Sequence, residues 1–238
     1  MAVQNPIRRT AMYHAQVSFG GIMVEADGWQ QVVRFGPTAN ELELLRTSAG
    51  VHDISPNGQV RVVGTHAAAA VQNLSSNLPG LAVGMVRQVE IDIAGGRLSA
   101  LVARLTQDEF AVLTPPAQAL AAAELLGAAT DSCAHVLDIS SGLAGIALTG
   151  PASSEILSAI TQLNVSAQGM PNLTCAQSQF AEIQGLLVRH DTADLPSYQL
   201  YVNREFGEYF WKAVVEAAQE IGAGPAGIEA VAGLNVDN

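Results

Sequence analysis

The chain predicts an α+β fold of mostly antiparallel sheets with packed helices, built as two related interlocked halves. Three observations carry that prediction. The stretch RTSAGVHDIS at 46–55, followed by GQVRVVG and a helical segment, recurs 85 residues later as LDIS at 137–140, LAGIALTG and PASSEILSAI. Runs alternating with period two are joined by short glycine turns, the pattern of hairpins. Helix-forming segments with start and stop signals lie between them, so the helices cover the sheets.

Taken in order, Thr38 and Glu41 have capping-box spacing ahead of LELLRTSA, and Gly50 is placed to stop a helix over 38–49. A strand follows at VHDIS. GQVRVVG alternates as a second strand, and Thr65 is placed to cap the helix HAAAAVQNL. VRQVEIDI and RLSALVARL flank Ala94, Gly95 and Gly96, where glycine supplies the positive φ of a tight hairpin. FAVLT adds a strand, and PPAQALAAAELLGAA predicts a helix with proline at its start. The second copy runs HVLDIS, LAGIALTG and a helix from Pro151 to about Leu163. Strands are then expected at QFAEIQ, GLLVRHD and SYQLYVN, before a helix in REFGEYFWKAVVEAAQEIG that Gly222 ends. The expectation is a single domain over 1–238, its halves at about 46–130 and 131–222.

A hydrophobic share of 49% against 14% charged residues marks a folded chain, not a disordered one. No apolar run reaches the roughly 20 residues of a membrane span, so no membrane association is expected. The N-terminus has no apolar signal core, which makes the cytoplasm the expected location. A net charge of −11 repels phosphate backbones, so nucleic acid is not an expected partner. Cys133 and Cys175 lack CxxC spacing and read as buried thiols, and no metal site is predicted. The single lysine, Lys212, falls on a helix face that reads as solvated, which argues against Schiff-base chemistry.

Five segments in order, GGIMVEADGW (20–29), RTSAGVHDIS (46–55), AGGRL (94–98), LTGPA (148–152) and SYQLYVNREFGEYFWKAV (197–214), resemble the folate-binding region of the glycine cleavage T-protein (aminomethyltransferase) family. The stretch from HVLDIS through CAQSQFAEIQGLLVRHD to FWKAV is also similar to the gamma subunit of heterotetrameric sarcosine oxidase. The resemblance implies an aminomethyltransferase folate-binding-domain-like fold, a tetrahydrofolate site in a central channel, and one-carbon transfer. It also implies a C-terminal barrel domain, which is expected to be absent here and whose loss would open part of the channel wall.

At the positions where the resemblance implies folate contacts, the residues differ. The aspartate expected after the glycine pair is Ser99, and a serine without an adjacent base does not replace a carboxylate in proton chemistry. The expected tyrosine is Arg87. The glutamate expected to pair with the pterin donors is Gln199, which has one acceptor group where a carboxylate has two. The expected arginine falls loosely on Val231. These departures predict that no cofactor is needed, with tetrahydrofolate as the alternative.

Arg87, Ser99 and His52 are therefore the candidate catalytic residues. Strict alternation points Arg87 inward with Val89 and Ile91, toward an anionic or phenolic ligand; a surface ion pair with Glu90 or Asp92 is the other reading. Ser99 would line the same hairpin or be an ordinary strand serine. His52 stands where the resemblance implies Phe, either as an acid or base or as a packed strand residue. Tyr13, Asn57, Asn77, Tyr198, Gln199 and His190 are the candidate substrate contacts. His190 lies between Arg189 and Asp191, a trio that also reads as a solvated strand end. Trp29 reads as core, and Asp53 and Asp138 as turn-forming carboxylates.

The function expected is a divergent, folate-independent enzyme of one-carbon chemistry acting on a small molecule, such as a lyase releasing formaldehyde from a hydroxymethyl-bearing substrate. The alternatives are a non-catalytic accessory subunit resembling the sarcosine oxidase gamma chain, and a tetrahydrofolate-dependent methyl or aminomethyl transferase. A homo-oligomer and a partner subunit both stay open.

Overall fold

The structure is a computed structural model that describes residues 7–72, 74–93 and 96–234. In chain order its elements are β1 (Arg8–Arg9), α1 (Tyr13–Ser18), β2 (Ile22–Ala26), β3 (Trp29–Arg34), α2 (Thr38–Thr47), β4 (Gly50–Asp53), β5 (Asn57–Val63) and α3 (Ala67–Gln72). There follow β6 (Val86–Ile93), β7 (Gly96–Thr106), β8 (Glu109–Pro116), α4 (Ala119–Ala128), β9 (His135–Asp138), β10 (Leu143–Thr149) and α5 (Ser153–Ile160). The chain continues through β11 (Thr174–Phe180), β12 (Ile183–Arg189), β13 (Ser197–Asn203), α6 (Gly207–Glu220), β14 (Gly224–Pro225) and α7 (Ile228–Gly233). The predicted α+β class holds.

The chain forms two compact units. One contains 1–55, 143–172 and 178–238; the other contains 56–142 and 173–177. In the first, a six-stranded sheet has the order β11-β12-β13-β10-β4-β14, with β11 starting in the second unit. One face of this sheet presents Val51, Ile146, Leu148, Tyr198, Leu200 and Val202 to the core. Helix α6 meets that core with Phe210, Trp211, Val214, Val215 and Ala218, apolar residues at helical spacing on one stripe. Each large side chain buried there stabilises the fold by about 1.5–3 kcal/mol. A small sheet of order β1-β3-β2 completes the unit, with Trp29 buried as expected.

The second unit is a five-stranded sheet of order β6-β7-β8-β5-β9, whose core face carries Val60, Val62, Val89, Leu98, Val102 and Val112. Helices α3 and α4 cover it through Ala67, Val71, Ala122 and Leu126. The predicted hairpin is β6 with β7, in antiparallel register from Val86 opposite Ala103 to Ile93 opposite Gly96. Its turn residues Ala94 and Gly95 lie outside the described residues.

The repeat is exact enough to recur bond by bond, and it exchanges strands. Strand β4, from the first copy, pairs with β10 of the second; β9, from the second copy, pairs with β5 of the first. Asp53 Oδ1 accepts from Ser55 N at 2.8 Å, and Asp138 Oδ1 accepts from Ser140 N at 3.0 Å, the turn role expected of both. Ser55 Oγ accepts from Gly145 N at 3.0 Å, while Ser140 Oγ accepts from Gln59 N at 2.8 Å. The glycines that end the second strand of each copy, Gly64 and Gly150, share φ +132. The amides two residues beyond them donate alike, His66 N to Cys133 O at 3.3 Å and Ala152 N to Ser48 O at 2.9 Å.

Several local expectations need correction. Thr38 does not cap α2: its hydroxyl donates to Glu229, while Glu41 accepts from Phe35 N, Gly36 N and Gly227 N. Helix α2 ends at Thr47, and Gly50 opens β4. Pro115 and Pro116 finish strand β8 and do not start α4; Ala117, at φ +64, turns the chain between them. QFAEIQ is not one strand. Ala181 and Glu182 both have positive φ, 46 and 67, and form the two-residue turn between β11 and β12 without the glycine or asparagine that flags such a turn. Cys175 is buried as expected, but Cys133 is exposed.

Candidate functional site

Cross-strand partners in a sheet share a face, and the register of the six-stranded sheet puts one row together. His52 pairs with Ala147, Ala147 with Gln199, and Gln199 with Val188. Ser197 with Thr149, and Tyr201 with Gly145, lie on the same face by period two. The apolar core described above occupies the opposite face, while this one mixes His52, Thr149, Ser197 and Gln199 with Leu186, Val188 and Tyr201, nearly all of them buried. His52 and Gln199 thus flank a methyl group, two strand spacings or roughly 10 Å apart.

His52 is buried, and its Nδ1 has no hydrogen-bond partner among the described residues. Burial lowers its pKa to about 4, so the imidazole is neutral at physiological pH. Gln199 is half-buried, and its Oε1 accepts the Tyr201 hydroxyl at 2.9 Å, which leaves the amide NH2 as its donor group. Thr149 Oγ1 and Ser197 Oγ share a buried 2.9 Å hydrogen bond. Tyr201, Thr149 and Ser197 were not singled out from sequence. The signal for them was the period-two placing of small and polar residues in LAGIALT and SYQLYVN.

The other candidates in this unit lie elsewhere. Tyr198 points into the core, with its hydroxyl donating to Val165 O at 3.2 Å, so it is not on the face of His52 and Gln199. Arg189, expected to be solvated, is 7% exposed. Its guanidinium makes a fork with Asp191 (2.9 and 3.0 Å), donates to Met170 O at 2.7 Å, and stands 5.3 Å from the centre of the Tyr198 ring. His190 is partly buried, and that burial lowers its pKa against the attraction of Asp191. Tyr13 on α1 meets His14 edge-on and the Arg9 guanidinium at 4.4 Å. Asp53 is held above the usual carboxylate range chiefly by burial, against hydrogen bonds from Ser55 and Gln16.

Arg87, Ser99, Asn57 and Asn77 belong to the second unit. Arg87 does share the core face with Val89 and Ile91, as alternation requires, and is half-buried at its margin. Its guanidinium donates to the Asn77 main-chain carbonyl, which ties β6 to the loop carrying Leu78 and Leu81. The surface ion pair with Glu90 and Asp92 belongs to Arg97 instead, at 2.8 and 3.3 Å. Ser99 pairs with Glu90, on the opposite face of the hairpin from Arg87, so the two do not act on one point. The Asn77 side chain accepts from Ser75 Oγ at 2.9 Å, and Asn57 opens β5 opposite Pro116.

A two-unit α+β chain with this sheet order has the fold of the aminomethyltransferases. The glycine cleavage aminomethyltransferase T of Bartonella henselae superposes with a TM-score of 0.81 at 16% identity, over 94% of this chain and 60% of that one. A chain of the heterotetrameric sarcosine oxidase of Corynebacterium sp. U-96 superposes at 0.59 and 21% identity, over 79% of this chain and 93% of that one. The family model of the GCVT N-terminal domain matches residues 12–238, and the protein belongs to that family. Aminomethyltransferases of Saccharopolyspora erythraea and Streptomyces avermitilis are 28% and 29% identical over 93% and 94% of the chain. The chain spans about 61% of the length of each of those relatives.

The depressed His52 pKa has a measurable consequence. Between pH 6.5 and about 4 the unfolded chain takes up a proton that the folded imidazole refuses, so stability present above pH 6.5 is lost as the pH falls. Asp53 acts with the opposite sign: its raised pKa costs stability at neutral pH, and that cost fades as the pH falls through the folded pKa and is gone below 3.8. From pH 7.5 to pH 5.0 we expect urea unfolding to show the wild type losing about 2 kcal/mol more than His52→Phe. Equal losses in both proteins would place the imidazole in water.

Proposed function

We propose that this protein is a one-carbon enzyme of the aminomethyltransferase family that works without folate, releasing formaldehyde from a hydroxymethyl-bearing substrate. The observation that carries this reading is the row His52, Ala147, Gln199, in which a neutral imidazole and an amide donor flank a small side chain on one sheet face. The amide at position 199 supports the reading without folate: it offers a pterin's donor edge one acceptor oxygen where a carboxylate offers two, and that oxygen already accepts from Tyr201.

In the proposed reaction the hydroxyl of the R–CH2OH group gives its proton to His52. The bond from R to that carbon breaks, formaldehyde leaves, and the electron pair of that bond stays on R, a carbonyl compound, as its enolate. The proton then returns to R, so the balance is R–CH2OH to R–H and formaldehyde. Charge developing on R raises the basicity of His52, and the Gln199 NH2 donates to the oxygen that carries it. Arg87 and Ser99 take no direct part in this reading.

A second reading, an accessory subunit, is supported by the size match: the likeness to the sarcosine oxidase chain takes in 93% of that chain. The location proposed is the cytoplasm, where the two free cysteines would stay reduced. The test is purified protein alone. Formaldehyde release from ketones bearing a hydroxymethyl group on the α-carbon, lost in His52→Phe, with no heat of tetrahydrofolate binding at micromolar concentration, is the expected result. Tetrahydrofolate binding would return the protein to the folate-dependent transferases, and inactivity without a copurifying partner would favour the accessory subunit.

A further inference from the structure

His66, Asp131 and Cys133 converge on the surface of the second unit. One potential ligand atom from each lies within 4.8 Å of the other two. His66 precedes α3 and the other two follow α4, so 65 residues separate ligands that the fold brings together, and no sequence spacing announces them. Imidazole nitrogen, carboxylate oxygen and thiolate sulfur form the donor set of a borderline-soft divalent cation such as zinc. We propose that these three side chains form a binding site for such a cation, with solvent completing its coordination.

Two features of the backbone hold the trio in place. Cys133 N donates to Asp131 Oδ1 at 2.8 Å, and His66 N donates to Cys133 O at 3.3 Å, so the two segments are fastened to each other at the ligands themselves. His66 Nδ1 lies 2.6 Å from Asp131 Oδ2. Ligands of one tetrahedral zinc ion stand about 3.3–3.8 Å apart, so closure from the present spacing needs side-chain rotation of about an ångström. His66 and Asp131 have side chains more than half exposed and free to make it.

The repeat supplies an internal control. The corresponding backbone in the first unit makes the same Ala152 N to Ser48 O bond, yet carries Arg46, Ser48 and Ala152 where the second unit has Asp131, Cys133 and His66. The turn is therefore built without any of the three ligand types, and their presence together in one copy is not required by the scaffold. Binding exchanges the Cys133 thiol proton for a sulfur–metal bond and releases that proton to solvent, with no change of oxidation state.

Titration of the full chain with Co2+ tests the site, because a thiolate bound to Co2+ gives a charge-transfer band in the near ultraviolet. We expect that band to saturate at micromolar Co2+ and to be displaced by Zn2+. Cys133→Ser abolishes it, and His66→Ala and Asp131→Asn each weaken binding tenfold or more. Cys175→Ser, which removes the buried thiol, leaves it unchanged. Absence of the band at millimolar Co2+, its survival in Cys133→Ser, or equal affinity in His66→Ala would overturn the proposal; the last two would reduce it to adventitious binding. Circular dichroism of each variant reports that these surface changes leave the fold intact.

Discussion

Gly150→Ala is expected to destabilise the first unit by roughly 2–6 kcal/mol, the upper end of which matches the whole stability of a marginal domain. Residue 150 sits at φ +132, a region costing an L-residue about 1–3 kcal/mol. An added Cβ would also stand 2.5 Å from Ser48 O, 2.6 Å from Leu45 O and 2.8 Å from Ala49 Cα. All three are backbone atoms at the end of α2 and the start of β4, so no rotamer relieves the clash, and overpacking adds a further 1–3 kcal/mol or so. Gly64→Ala meets Cys133 O at 2.2 Å under the same φ and is expected to behave alike. Urea midpoints of the two variants check both; a loss under about 1 kcal/mol would mean that the close approach between the copies is not held as described. Gly80→Ala, with open space around its Cβ, isolates the backbone cost alone.

Arg189→Ala is expected to cost about 3–5 kcal/mol, the usual effect of removing one member of a buried ion pair. The loss leaves the Asp191 carboxylate, with a side chain only 24% exposed, facing a hole where a two-point fork had been, and it leaves Met170 O without its donor. The uncompensated charge is the larger part of that cost. Arg189→Met combined with Asp191→Leu should therefore recover more than half of it in urea unfolding, although two interactions are then missing. A double variant no more stable than Arg189→Ala would show that packing over Tyr198, and not the stranded carboxylate, dominates.

The fold was legible because its signals are local and repeated. The DIS turns, the alternation in GQVRVVG and LAGIALT, and the glycines closing each copy all act within a few residues, and each element they predicted is present. The misreadings occurred where tertiary contacts decide. Ala181 and Glu182 adopt positive φ without a residue that favours it, and Glu41 turns back to Phe35 N and Gly36 N with a side chain that also reaches Gly227, 186 positions along the chain. Much less of the candidate site could be read. Alternation correctly put Arg87 on the inward face, yet only the register shows that its donor goes to Asn77 O and that Ser99 faces the other way. The pairing of His52 with Gln199 across Ala147 spans three strands drawn from both copies, and no spacing in one dimension encodes it. Arg189 illustrates the same limit: three charged or polar residues in a row suggested water, and the fork to Asp191 let the arginine go inside.

The strand exchange between the copies also sets an order of assembly. The unit holding 56–142 draws all five strands of its sheet from that one unbroken stretch, so its sheet can close early as the chain is made. Strand β4 has no such opportunity: its partner β10 lies about 90 residues downstream, and the next strand in that sheet, β13, comes later still. The amino-terminal segment must wait on the ribosome with its apolar face unpaired until roughly 200 residues have been synthesised. Truncation anywhere before β13 therefore strands the beginning of the protein, not merely its end.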